Sequence, residues 1–419
     1  MQMTERSWVG VAASLAGVVT LGVFSLALSS CTGFFLPRTT TSTGTTGTTG
    51  TTGTTGTTGT TGTTDVAYLT NSIATTDSLT AYSVSSGALT VVTNAPYALG
   101  FIPQAMVVNP AGTYAYIASS PLTPGAAQGY IYAYSVSSTG VLSILNNGSP
   151  TGGALTNPDP ISMVISTDGK YLFALDGSTG ILAQYVLDAT TGLIDAGNQP
   201  ETYPANSPSD NGAIVPKALA FAPNGGFLVE AMGTGGAAAY TYTSSTGALS
   251  LVTPLISPSN TSVSINGVAI DGNNNIYLTV GSGSTAAGLQ MFSSNAFGDY
   301  SSSPVATAAT GNGPKSVVVD TTNSYVYVGN YADGTISGYS ISSSNGTNAL
   351  TPISGSPFVG PQGVTALGRD NTGKYLVALG YNASTGIQLL SIGTGGALTA
   401  AGSAASGTLG EPAAVAMTP

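Results

Sequence analysis

Lysine, carboxylate, tyrosine and hydroxyl groups carry whatever chemistry this chain can perform, because its 419 residues include no histidine and a single cysteine, Cys31. Nucleophile systems of the Ser-His-Asp and Cys-His kind need an imidazole base and are excluded. Zinc centres built on His and Cys fall with them. The Gly-Lys pairs Gly169-Lys170 and Gly373-Lys374 run into tyrosine instead of Ser or Thr, so they are turns entering strands and not phosphate loops. Calcium suits oxygen ligands, and Asp271, Asn273 and Asn275 open like an oxygen-rich loop. Ile276 then stands where such a loop needs glycine and Ser282 where it needs a bidentate acid, so Asp271 is expected in a turn, and neither a metal nor a cofactor is expected.

Charge is sparse and acidic. The formal net charge is −10, and beyond residue 64 the bases are Lys170, Lys217, Lys315, Arg369 and Lys374. Phosphate backbones are held by several bases acting together, so a nucleic-acid partner is not expected. Neutral polar ligands, envelope proteins or glycans suit a surface rich in Ser, Thr, Asn, Gly and Tyr.

A repeat is what can bring these groups together. Seven times a short apolar strand follows a proline-type anchor: Pro103, Pro160, Pro216, Ile265 in the proline slot, Pro314, Pro361 and Pro412. The spacing, about fifty residues, is the period of a four-stranded propeller blade. After each anchor come a turn, a second strand of alternating aromatic and aliphatic residues such as Tyr171 to Leu175, and a hairpin of Tyr, Val and Ile alternating with Ser and Thr. The last anchor strand stands alone at Pro412, while Asp65 to Val92 supplies three strands with no anchor before them. The fold expected is therefore all-β, a seven-bladed β-propeller over residues 65–419, closed by N- and C-terminal strands in one blade, which hides otherwise exposed sheet edges.

In a propeller the first strand of each blade lines the central channel. Residues following the anchors then ring one channel mouth: Gln104, Ile161, Lys217, Asn266, Lys315, Gln362 and Ala413, with Asp159 and Glu411 just before it. Lysines and amides converging with two acids could bind a polar or anionic ligand. Carboxylate-driven hydrolysis through Asp159 and Glu411 is a further expectation.

Ahead of the repeats, Trp8 to Leu28 is an uncharged run of apolar and small residues after Arg6. Leu28-Ser29-Ser30-Cys31 resembles the lipobox of bacterial lipoproteins, cut before the cysteine, whose thiol then carries diacylglycerol. The resemblance implies a signal peptide over residues 1–30 and a lipid anchor at Cys31, the contact with the membrane. Thr32 in place of an aspartate points to the outer membrane of a bacterial envelope, periplasmic or surface-exposed. Thr39 to Thr64 repeats Thr-Thr-Gly, a polar tract that cannot bury a core, so residues 31–64 are expected to be a disordered tether reaching roughly 25–30 Å.

The proline-anchored strand, the glycine turn before an aromatic strand and the hairpin Tyr134 to Leu142 resemble the seven-bladed lactonase-type propellers, of which a 6-phosphogluconolactonase is the named member. Tyr68 to Asn71 and Tyr327 to Asn330 look like the YVTN tetrapeptide of related surface propellers. That family's enzymes use histidine and arginine near the channel to handle a phosphorylated sugar lactone. With no histidine, and Arg369 the one arginine after residue 64, none of that site carries over residue by residue. The expectation is a non-enzymatic binding or scaffold module at the cell envelope, with a diverged lactonase-type hydrolase at the channel mouth as the alternative.

Overall fold

The structure, a computed structural model, describes residues 65–71, 78–123, 126, 128–151, 158–195, 201–203, 214–253, 256, 263–281, 288–344, 347–381, 386–401 and 412–419. The expected signal peptide, Cys31, the tether and Glu411 lie outside the described residues. Among the described residues no helix is long and apolar enough to cross a membrane.

Seven antiparallel sheets form the blades of a propeller. Their inner strands are Pro103–Val108 (blade 1), Pro160–Ile165 (blade 2), Ala218–Phe221 (blade 3), Ile265–Ile270 (blade 4), Pro314–Val319 (blade 5), Val364–Arg369 (blade 6) and Pro412–Met417 (blade 7). Each packs against the inner strand of the next blade, and blade 7 returns to blade 1, so the ring is closed. Within each blade the order runs outward by hairpins, as in Tyr171–Asp176, Leu182–Val186 and Glu201–Tyr203 after the inner strand of blade 2. Blades 5 and 7 each add a fifth short strand that the repeat did not announce, Phe358–Val359 against Thr335 and Ile336, and Tyr97–Ala98 against Ser78 and Leu79.

Blade 7 is shared between the two ends of the domain. Strand Val66–Asn71 pairs with Pro412–Met417 in the register Ala67 to Met417 and Leu69 to Val415. Side chains fasten the seam: Ala414 N donates to Thr70 Oγ1 at 2.9 Å, Val66 N to Thr418 Oγ1 at 2.9 Å, and Asn371 Nδ2 to Thr418 O at 2.6 Å.

The core lies between blades and not inside any one of them. Both faces of each sheet are apolar, so each face needs a neighbour, and seven clusters fill the seven interfaces. Between blades 2 and 3, for example, Phe173 stacks on Phe221 and both meet Tyr242 edge-on, at centroid distances of 5.1–6.0 Å. At the rim opposite the anchors, buried tyrosines of one blade reach the outer hairpin turn of the next. Tyr68 donates its hydroxyl to Gly140 O, Tyr116 to Gly192 O and Tyr327 to Gly396 O at 2.7–2.9 Å. Gly247 lies against the Tyr171 ring and Gly298 against Phe227 in the same way. At this rim Asp271, Asp320 and Asp370 accept backbone N–H groups of their own turns, and Asp271 also takes Tyr277 Oη at 3.0 Å. Asp271 thus serves a turn, as its neighbours in sequence suggested.

Candidate functional site at the channel mouth

A repeated irregularity sets the mouth. Pro103 pairs with Ser119 and Ala105 with Ala118, which leaves Gln104 as an extra residue in the inner strand. The same skip isolates Ile161, Asn266, Lys315 and Ala413, and Lys217 holds the corresponding place because its N–H donates to Ala231 O while Ala218 pairs with Ala231. A β-bulge of this kind re-aims the side chain it extrudes. Each blade therefore presents one residue at the mouth by construction.

Blade 6 departs from the sequence reading. Its bulge falls between Val364 and Ala366, so Thr365 occupies the slot and Val364 plays the part expected of Pro361. Tyr381 N donates to Gly363 O just as Tyr331 N donates to Gly313 O, which fixes this register independently of the proline. Gln362 lies two residues before Val364 and is exposed, and Thr365 is buried with its hydroxyl directed at Leu379 O. Strand pairing sets the slot, and a β-branched residue serves as the anchor before it as well as proline does, as Ile265 also shows.

Two groups of residues come together. On blades 1 and 2, the Gln104 side chain is near enough to Asp159 to act on its carboxyl. Burial raises the Asp159 pKa, Gln104 opposes it, and nearby Asp176 adds to the rise. Gln104 Oε1 and Asp159 Oδ1 are buried without a partner among the described residues. Asp176 itself is saturated: Oδ2 accepts Asp159 N at 2.7 Å, and Oδ1 accepts Ser178 and Thr179 groups at 2.7–3.1 Å. Burial would raise its pKa, but these bonds outweigh that and hold it below the usual carboxylate value.

On blades 3 and 5 the mouth is cationic. Burial lowers the Lys217 pKa. Burial, with the charge of Lys217 added to it, pushes the Lys315 ammonium down to about 8. A second ammonium acting on Lys315 in a half-buried setting is a repulsion that an anion between the two would relieve. Between them Asn266 is committed to structure: Ser264 Oγ donates to its Oδ1 at 2.6 Å, and its Nδ2 donates to Pro314 O at 3.0 Å, tying blade 4 to blade 5. Ile161 is buried. Nothing is described for Glu411 or the Ala413 side chain.

Two further residues belong to this mouth. Lys315 Nζ stands 5.0 Å from the centroid of the Tyr331 ring, a cation–π contact. Tyr331 in turn meets Tyr381 edge-on, with centroids 6.3 Å apart at 72°. The sequence reading followed only the anchor strand and so passed over both tyrosines. Comparing the residue after the second strand from blade to blade would have found them.

No protein-family model matches the chain, and no curated protein matches it. Solved structures do match over most of its length. A putative 6-phosphogluconolactonase from Bacteroides uniformis superimposes with a TM-score of 0.66 at 17% identity, covering 84% of this chain and 99% of the other. The periplasmic gluconolactonase of Pseudomonas aeruginosa does so with a TM-score of 0.63 at 14% identity, covering 85% and 99%. A putative 6-phosphogluconolactonase from Bacteroides fragilis gives 0.61 at 16% identity, covering 86% and 99%. The fold is that of the lactonase-type seven-bladed propellers.

Proposed function

We propose that this chain is a lipid-anchored propeller of the bacterial envelope that binds a small polar anion at its channel mouth without turning it over. The observation that carries the reading is the placement of Lys217 and Lys315 at the same bulge position of blades 3 and 5, near enough for one charge to act on the other. An anion between them offsets their repulsion and restores the proton affinity that burial took from Lys315. The anchor is supported by Leu28-Ser29-Ser30-Cys31 after an uncharged apolar run, and the Thr-Thr-Gly tract would hold the mouth clear of the lipid. Labelled palmitate is expected to enter the protein and to be lost from Cys31→Ala.

Lactone hydrolysis is the second reading, and one set of observations favours it: solved proteins named as lactonases, one of them periplasmic, share the fold. Lys315, with its lowered proton affinity, would be the general base at such a site. Against it stand the missing histidine and the absence, after residue 64, of any arginine besides Arg369.

One experiment separates the two. Glutarate and inorganic phosphate are titrated calorimetrically at pH 7 and pH 9, and neutral and phosphorylated sugar lactones are assayed for turnover. Binding is expected at pH 7, with about tenfold weakening at pH 9 as Lys315 loses its proton, and loss in Lys217→Met. Absence of anion binding overturns the proposal. Lactone turnover that disappears in Lys217→Ala replaces it with the hydrolytic reading.

A further inference from the structure

Tyr331 and Tyr381 occupy the same place in consecutive blades, the residue that follows the second strand. Three other blades fill that place with Ser120, Gly177 and Gly281, while in blade 3, whose second strand ends at Ala231, Met232 follows. Blade construction therefore needs only a small residue there. Two bulky rings side by side at a position where Ser or Gly suffices, both left more than a third exposed, call for an explanation outside the fold.

The corner they form is held in place. A Cβ added at Gly363 would lie 2.9 Å from Tyr381 Cβ and 3.4 Å from Tyr331 Cε2, so both tyrosines rest on a residue whose φ of +67° also favours glycine. Lys315 lies over the Tyr331 ring, which sets an ammonium beside the aromatic surface. The exposed groups nearby are hydrogen-bonding ones. Gln362 precedes Gly363, and Asn312, whose carbonyl accepts Ala332 N at 3.1 Å, is paired through its Nδ2 to Asp333 Oδ1 at 3.0 Å.

We propose that this corner is a carbohydrate subsite and that the anion recognised at the mouth is the carboxylate of a pyranose ring, a hexuronate at the end of a glycan. The chemistry matches part by part. The C–H face of a pyranose covers an exposed tyrosine ring, its hydroxyls take amide and carboxylate partners, and its carboxylate meets the lysine pair. An open-chain carboxylate has no ring face to lay on the tyrosines and no hydroxyls to offer the exposed polar groups. A free phosphate would use only the lysines. The inference rests on the anion-binding reading of Lys217 and Lys315.

The test uses the full chain and four probes: methyl β-glucuronide, glutarate, inorganic phosphate and methyl β-glucoside. Methyl β-glucuronide is expected to bind about three- to tenfold more tightly than glutarate, and the uncharged glucoside weakly. Tyr381→Ala is expected to abolish that preference, Tyr381→Phe to keep it, and Lys315→Met to weaken all three anions. Equal affinity for glucuronide and glutarate, or a preference that survives Tyr381→Ala, overturns the carbohydrate subsite and leaves the anion site standing. Failure of all three anions to bind overturns both.

Discussion

Glu230 is fully buried in the second strand of blade 3, paired with Leu219 on one side and Ala238 on the other. At the matching position the other blades carry Ile117, Ala174, Leu278, Val328, Ala378 and Leu69, all apolar. Tyr240 donates to Glu230 Oε2 at 3.3 Å, and Oε1 has no partner among the described residues. Burial pushes this carboxyl up to about 8, with the Tyr240 bond opposing the rise. The sign follows from linkage. An unfolded glutamate ionises near 4.5, so between there and pH 8 the folded state holds a proton that the unfolded state has lost, and stability falls as pH rises. Glu230→Leu is therefore expected to stabilise the protein at pH 8 by a few kcal/mol, roughly what a shift of this size is worth, and by little at pH 4.5. Melting temperatures of both proteins between pH 4.5 and 8 check this, and parallel curves would reject it. The window stops at pH 8 because the lowered Lys315 pKa acts in the opposite direction above it.

The elements that hold neighbouring blades in step are the hairpin turns on the rim away from the mouth. Gly192 shows why their residue types are restricted. Its φ is +72°, its carbonyl takes the Tyr116 hydroxyl, and a Cβ there would stand 2.2 Å from the Tyr114 ring. Gly169, at φ +73°, has open space around the same atom. Both positions disfavour a side chain on backbone grounds alone, by about 1–2 kcal/mol. Gly192→Ala is expected to cost about 1–3 kcal/mol beyond Gly169→Ala, measured by chemical denaturation, because it also forces Tyr114 off its packing. Equal losses would show that contact between the blades at this rim is dispensable. Blade count, strand order and the split blade were legible in the sequence because anchors and turn glycines act locally, on the chain they belong to. The slot in blade 6 was not legible, since Pro361 lies three residues before Val364, the residue whose pairing sets the bulge. Gln104, Lys217, Asn266 and Lys315 take the bulge position of their strands, but only coordinates could separate Asn266, whose amide bridges two blades, from Lys315, on which the Lys217 charge acts. Tyr331 and Tyr381 were written in the repeat as departures from Ser and Gly, a signal carried by the second strand and not the first.

At the scale of the whole molecule, stability depends on the ring being closed, because every interface is shared by two blades and none has a core of its own. The strand Pro412–Met417 contributes to several of these interfaces at once. Val415 and Met417 pack toward blade 6, Ala416 faces the cluster shared with blade 1, and Ala414 joins the cluster between blades 1 and 2. Removing Pro412 to Pro419 would strip those contacts and bare the edge of Val66–Asn71, a row of unpaired backbone groups able to recruit another chain. The truncated protein is expected to lose its single cooperative transition, to melt lower by about ten degrees or more, and to self-associate on gel filtration. Thr70→Val probes the same seam more gently. It keeps the shape of the side chain but deletes the 2.9 Å bond from Ala414 N, at a cost of about 1–2 kcal/mol with monomeric behaviour retained. A truncated chain that stays monomeric and melts in one transition at the full-length midpoint would mean that six blades and a partial sheet are self-sufficient, and that the seam between the ends of the domain does not hold the propeller together.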